Sequence, residues 1–199
     1  MLIPDRAEPA RGDDRIVFVG RQEPRKGLQV LPRAPGPRSG SGSGARLRVV
    51  GADPLAVRLL LARLRVPDDG IDVLGFLSQD ELTAELLSAK ALVAPSLGGE
   101  SFGMVLTRAF ACATPVVASD ISGYRGVMEP QAGRLVPPDD PACAGRGGRH
   151  PARGRSRARA DLGRAARVLA QERYSWEGIA QRLSEIYEGI VESPKAFAA

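Results

Sequence analysis

The amino-acid sequence predicts an α/β domain built on a doubly wound parallel sheet. Two observations lead there. Apolar runs of strand length alternate with segments of helical pattern, the arrangement expected of a parallel sheet with helices on its faces. Most of the runs are continuously apolar rather than alternating, as in strands covered on both sides. Folds of this class bind ligands at the carboxyl ends of their strands, so the turns that follow the strands are the places to look for function.

The strands are read in order as Ile16–Val19, Leu47–Val50, Ile71–Leu74, Ala91–Ala94 and Pro115–Ala118, with Leu135-Val136 as a short sixth. Between the second and third, Asp53-Pro54 supplies an N-cap followed by proline at the first helical position, and Leu55, Leu59 and Leu60 recur at helical spacing. After the third, Ser78-Gln79-Asp80-Glu81 is a capping-box pattern leading into Leu82, Leu86 and Leu87. Phe102 to Cys112 reads as a helix ending in small residues. Ser175 precedes a long amphipathic stretch carrying Trp176, Ile179, Leu183, Ile186, Tyr187 and Ile190.

Two segments depart from this pattern. Residues 32–44 (PRAPGPRSGSGSG) and 142–160 (ACAGRGGRHPARGRSRARA) each fall where a helix should follow a strand. Both lack apolar periodicity and are rich in residues that oppose helix, so irregular, mobile connections are expected. Their composition also suggests locally shifted reading frames. The chain therefore divides into a tail at 1–14, one domain at 15–192 containing these two irregular segments, and a tail at 193–199.

The 199 residues, 43% of them hydrophobic, suffice for one ordinary core and fall short of two full α/β domains. No run of 18 apolar residues suggests a membrane span, and the start MLIPDRAEPARGDD lacks the form of a secretory signal. Cys112 and Cys143 fit no metal or redox spacing, and His150 has no ligand partner in sequence, so no metal and a reduced, cytoplasmic setting are expected. The net charge of +5 owes much to Arg146–Arg167, which reads as a solvated basic stretch. No aromatic residues interleave with those arginines, which argues against nucleic acid as a partner.

Three post-strand turns carry candidate chemistry. In Gly20-Arg21-Gln22-Glu23-Pro24-Arg25-Lys26-Gly27, Arg21 and Lys26 can converge on a diphosphate, the one as a planar donor fork and the other as a compact charge. An ordinary basic surface loop would look the same. In Pro95-Ser96-Leu97-Gly98-Gly99-Glu100-Ser101-Phe102-Gly103, paired glycines beside a helix start let backbone N–H groups approach a phosphate. Glu100 there either accepts hydrogen bonds from sugar hydroxyls or simply sits well near a positive helix end. Gly75-Phe76-Leu77-Ser78 lies in the right layer to meet a nucleotide base, and equally suits a plain strand-to-helix turn.

Together these pieces resemble the C-terminal, Rossmann-like domain of family 4 glycosyltransferases, one half of the GT-B fold, over Arg15 to Val191 outside the two anomalous segments. GRQEPRKG is similar to the family's Gly-Arg…Lys-Gly loop, which implies that Arg21 and Lys26 bind the donor diphosphate. PSLGGESFGMVLTRAFA is similar to its Glu-x7-Glu segment. That implies Glu100 on the transferred sugar, as the catalytic position, with main-chain groups of Ser101, Phe102 and Gly103 on the diphosphate. Gly75, Phe76, Leu77 and position 108 would meet the nucleoside. TPVVASDISGYRGVM, AGRLVPPDDP and the final helix RYSWEGIAQRLSEIYEGI continue the match, and GGESFG is particularly similar to phosphatidylinositol mannosyltransferases, which use GDP-mannose.

Two departures qualify the resemblance. Arg108 stands where the family has a glutamate that accepts the ribose hydroxyls, and arginine cannot accept a hydrogen bond. Nothing before Arg15 matches the family's N-terminal domain, which carries the acceptor site and a catalytic histidine. The resemblance thus implies a hexosyltransferase donor domain for retaining transfer. It would need no cofactor or metal, bind a GDP- or UDP-sugar, and be catalytically incomplete alone. A lipid or sugar acceptor and any peripheral membrane contact would come through the N-terminal domain. The alternatives are a nucleotide-binding module and a non-functional truncated fragment.

Overall fold

The computed structural model describes residues 3–4, 15–33, 46–141 and 155–192. Six parallel strands form one sheet: β1 (Arg15–Val19), β2 (Arg46–Val50), β3 (Ile71–Gly75), β4 (Ala91–Ala94), β5 (Val116–Ser119) and β6 (Gly133–Val136). Their order is β3-β2-β1-β4-β5-β6, and every neighbouring pair is parallel. The helices are α1 (Pro54–Leu64), α2 (Gln79–Ser88), α3 (Met104–Ala111), α4 (Ser122–Arg125), α5 (Arg155–Tyr174) and α6 (Trp176–Glu192). This is the Rossmann-like, doubly wound sheet expected from the sequence, and it corresponds to one half of a GT-B fold.

Side chains on successive strand residues feed opposite layers. Val17 on β1, Leu92 on β4 and Val116 on β5 join one core with Leu86 of α2, Leu106, Ala109 and Phe110 of α3, and Ala166, Leu169 and Ala170 of α5. Phe18 of β1 and Val49 of β2 face the other way, onto Val57 and Leu61 of α1 and Leu28. Val93, Val117 and Val136 continue that second face with Leu31. Full burial of each large apolar side chain contributes about 1.5–3 kcal/mol, so the α2–α3–α5 layer is the main anchor of the segment that leads out of β4.

The caps behave as their chemistry requires. Asp53 accepts from the Ala56 N–H at 2.9 Å, and Ser78 and Glu81 exchange both bonds of a capping box. The buried face of α1 differs from the expected one. Leu55 and Leu59 are exposed, Leu60 is only partly buried, and the buried stripe is Val57 and Leu61, itself an i, i+4 pair. A helix with apolar residues on two faces offers both to the sheet, and periodicity does not choose between them.

The irregular segments need one correction. Pro32 and Arg33 end a 3-10 segment, and Arg155–Ala160 opens the long helix α5. Arg155 to Ala160 reads RSRARA, in which only serine is not a strong helix former, and the Gly- and Pro-rich residues before it obscure that preference. Residues 34–45 and 142–154 lie outside the described residues, as do both tails except Ile3 and Pro4. The helix α6 begins on Ser175, whose Oγ accepts the Gly178 N–H at 3.1 Å, and it carries Trp176, Leu183, Ile186, Tyr187, Ile190 and Val191 exposed.

Candidate functional site

Strand order reverses direction at β1. Its partners β2 and β4 leave on opposite sides, and the crevice that opens at such a reversal is where doubly wound sheets hold ligands. The loop after β1 and the loop after β4 meet there. The Leu97 N–H donates to the Arg25 carbonyl at 2.7 Å, tying the two loops by their backbones. Gly27 makes this approach feasible: at φ +73° it takes a left-handed conformation, and a Cβ on it would stand 1.9 Å from the Pro95 carbonyl oxygen.

Between the loops lies a cavity of about 370 Å³, lined in part by Lys26, Ser96, Glu100, Ser101, Phe102 and Tyr124. Glu100 is its most heavily bonded group. Lys26 Nζ donates to Glu100 Oε1 at 2.7 Å, Arg25 Nη1 to the same oxygen at 3.1 Å, and Ser96 Oγ at 3.4 Å. Arg25 also donates to the Gly99 carbonyl at 2.9 Å and pairs with Glu23 at 2.7 Å. The three bonds to Glu100 all fall on Oε1. Among the described residues, Oε2 has no hydrogen-bond partner, so one carboxylate oxygen is fixed by the protein and the other remains an acceptor at the cavity wall.

The helix start falls three residues later than Ser101. Ser101 and Phe102 form an exposed bend, Gly103 is the N-cap at φ +75°, and α3 begins at Met104. Gly103 provides no side-chain cap, and the first amides of a helix lack intrahelical partners, so this terminus presents donors and a positive dipole end toward the cavity. Phe102 packs edge-on against Tyr174 with ring centroids 5.8 Å apart, which ties the bend to the end of α5.

The structure therefore brings Lys26, Glu100, Ser101, Phe102 and Gly103 together. It does not bring Arg21 with them. The Arg21 side chain is 71% exposed and pairs with Glu23 at 2.8 Å, away from the cavity lining. Gly75, Phe76 and Leu77 follow β3, two strands from β1 and thus about 10 Å to one side, with Phe76 exposed. Arg108 reaches toward that side rather than toward Glu100: its Nη2 donates to the Gln79 carbonyl at 3.0 Å, linking α3 to the first residue of α2. Glu100 precedes the helix and follows loop geometry, so helical spacing does not relate it to Arg108.

Three residues of the site were missed by the sequence reading. Arg25 sits beside Lys26 in a 3-10 turn, Pro24–Lys26, and basic neighbours in a loop give no sign of which one will reach across. Ser96 and Tyr124 are buried, 2% and 1% exposed, and hydrogen-bonded to each other at 2.8 Å beneath Glu100. Burial, with the nearby Glu100 charge, pushes the Tyr124 phenol up to about 12, so it is protonated at neutral pH. Among the described residues, no group of three or more His, Cys, Asp or Glu side chains is arranged to hold a metal ion, and no helix is long and apolar enough to cross a membrane.

Comparison with known proteins places this architecture. Residues 13–145 match the family model described as glycosyl transferases group 1, and the chain belongs to that family. It is a GT-B-type glycosyltransferase domain related to the phosphatidylinositol mannosyltransferases. The phosphatidyl-myo-inositol mannosyltransferase of Mycobacterium leprae is 35% identical over 182 residues, covering 89% of this chain and 47% of the relative. The D-inositol 3-phosphate glycosyltransferase of Acidothermus cellulolyticus is 33% identical, covering 92% of this chain and 42% of the relative. Among solved structures, sucrose-phosphate synthase from Thermosynechococcus elongatus superposes with a TM-score of 0.73 at 28% identity, covering 94% of this chain and 46% of that one. Anabaena HepE, in complex with UDP and glucose, superposes with a TM-score of 0.72 at 20% identity, covering 88% and 48%. The chain thus spans about half the length of the relatives it matches.

Proposed function

We propose that this chain is the C-terminal, donor-binding domain of a retaining hexosyltransferase, and that its cavity holds a nucleoside-diphosphate sugar of the GDP-mannose kind. The observation that carries the reading is the division of labour at Glu100, a residue of the cavity wall, with Oε1 held by Lys26, Arg25 and Ser96 and Oε2 without a partner among the described residues. A carboxylate so held accepts hydrogen bonds from sugar hydroxyls in a fixed direction. The two charges and the α3 terminus beside it suit the diphosphate that leaves when the sugar is transferred. Support for mannose comes from the similarity to phosphatidyl-myo-inositol mannosyltransferases; the likeness to HepE with UDP and glucose, at 20% identity, speaks for the fold.

In this reading Lys26 releases part of its hold on Glu100 to the diphosphate, and the first-turn amides of α3 take the remaining charge. Arg21 turns from Glu23 onto the ligand. Catalysis is then largely positioning and stabilisation of the leaving diphosphate, with Glu100 orienting the sugar. The acceptor, a lipid or a sugar, and any contact with a membrane surface belong to the other half of the GT-B fold. Calorimetry with GDP, GDP-mannose, UDP and UDP-glucose tests the donor site. Glu100→Gln should reduce the preference for sugar nucleotide over bare nucleotide about fivefold, since a hydrogen bond to a charged group exceeds a neutral one by roughly 1 kcal/mol. An unchanged preference in that variant removes Glu100 from the sugar.

Arg108 gives a second expectation. In the reading proposed here the nucleoside lies toward the β3–α2 turn, where Arg108 already donates to Gln79. Arg108→Glu supplies an acceptor for the ribose hydroxyls and should tighten GDP or UDP binding by about 1 kcal/mol, with a greater preference over the 2′,3′-dideoxy nucleotide. Weaker binding without a change in that preference would mean that Arg108 serves the phosphates.

A further inference from the structure

We propose that Tyr124 is a positioning residue for the donor sugar, acting through Ser96 on the carboxylate of Glu100. The inference rests on the donor-domain reading and extends it to two buried hydroxyl groups in the wall of the same cavity. A carboxylate only accepts, so Ser96 is the donor in its 3.4 Å contact with Glu100 Oε1, and when its O–H is turned there its oxygen accepts from the Tyr124 phenol at 2.8 Å. In that arrangement the hydroxyl chain runs from Tyr124 to Ser96 to Glu100, with the protonated phenol as its first donor.

Two close approaches hold the chain in place. A Cβ on Gly103 would stand 2.7 Å from the Tyr124 ring, so the ring lies directly against the N-cap of α3. A Cβ on Gly123 would stand 1.7 Å from the Glu100 carbonyl oxygen, so the backbone of α4 abuts the backbone of Glu100. The short helix α4 thus presses against the β4 loop at the residue that bears the carboxylate. Lys26 and Arg25 pull Oε1 from the other side and will share their charge with a diphosphate when it binds. The hydroxyl chain is then the contact that keeps the Glu100 carboxylate in place while the cations are engaged elsewhere.

The test is the ratio of association constants for GDP-mannose and GDP, with UDP-glucose and UDP measured in parallel, in the wild type, Tyr124→Phe, Ser96→Ala, Glu100→Gln and the double variant Tyr124→Phe/Glu100→Gln. Tyr124→Phe keeps the ring against Gly103 and removes only the hydroxyl. It should lower the ratio about threefold to tenfold, the effect of one hydrogen bond. Ser96→Ala should do the same, and Tyr124→Phe should add nothing in the Glu100→Gln background, as expected of residues that act through one another. A ratio unchanged in both hydroxyl variants but lowered by Glu100→Gln overturns this proposal and leaves the donor-domain reading standing. A ratio that Glu100→Gln leaves alone, or the failure of every nucleotide to bind, overturns the donor-domain reading itself. If Tyr124→Phe melts too early to titrate, Ser96→Ala carries the same decision.

Discussion

Lys26→Ala should weaken nucleoside diphosphate binding by about 10- to 150-fold, the equivalent of one charge-assisted contact of roughly 1.5–3 kcal/mol. Lys26 is only 22% exposed and already directed into the cavity by its bond to Glu100, so a ligand gains its charge without reordering a free side chain. Arg21→Ala should do less on its own, because that side chain must first leave Glu23 and the solvent. The double variant should lose on the order of 3 kcal/mol or more. Calorimetry with GDP and UDP reads all three, and the losses should shrink at high salt for Arg21 more than for the less exposed Lys26. Binding that survives the double substitution unchanged would remove the diphosphate from this crevice.

Gly27→Ala should be among the most damaging single substitutions in the domain. A left-handed backbone costs a non-glycine residue about 1–2 kcal/mol, and relieving a contact of 1.9 Å with the Pro95 carbonyl adds a further overpacking cost of about 1–3 kcal/mol. Against a total stability of about 5–15 kcal/mol for a domain, that is a large fraction. Gly75→Ala is the internal control. Gly75 is also left-handed, at φ +69°, but a Cβ there meets nothing within 4 Å, so only the backbone cost of about 1–2 kcal/mol applies. Urea unfolding of the two variants separates the terms. Equal losses would show that the β4 loop gives way freely, and the close seam between the two loops would then have no energetic weight.

How much of this could be read from the sequence depended on how far apart the interacting residues lie. The strands were legible because burial on both faces leaves a continuous apolar run, and the runs at Ile71, Ala91 and Leu135 lie within a residue or two of the observed bounds. The caps at Asp53 and Ser78 were legible because each is closed by a residue three positions on. The face of α1 was not, since Leu55 and Leu59 are as apolar as Val57 and Leu61 and only the sheet decides which pair it covers. The start of α5 was obscured by the Gly- and Pro-rich residues before it. At the site, Lys26 and Glu100 stood out through the turns that carry them, whereas Arg25, Ser96 and Tyr124 had no such mark. Ser96 and Tyr124 are separated by 28 residues and become a pair only when β4 and β5 align side by side.

The bond between Lys26 and Glu100 spans 74 residues of sequence. Before it can form, the chain must loop out β2, α1, β3 and α2 and bring β4 alongside β1. Contacts of such separation carry a loop-closure entropy that the rest of the sheet must offset before they form. A nucleotide that bridges the two loops binds only the assembled sheet, and by mass action it draws the folding equilibrium of the whole domain toward the native side. The concentration of the donor then sets the stability of the domain as well as its occupancy.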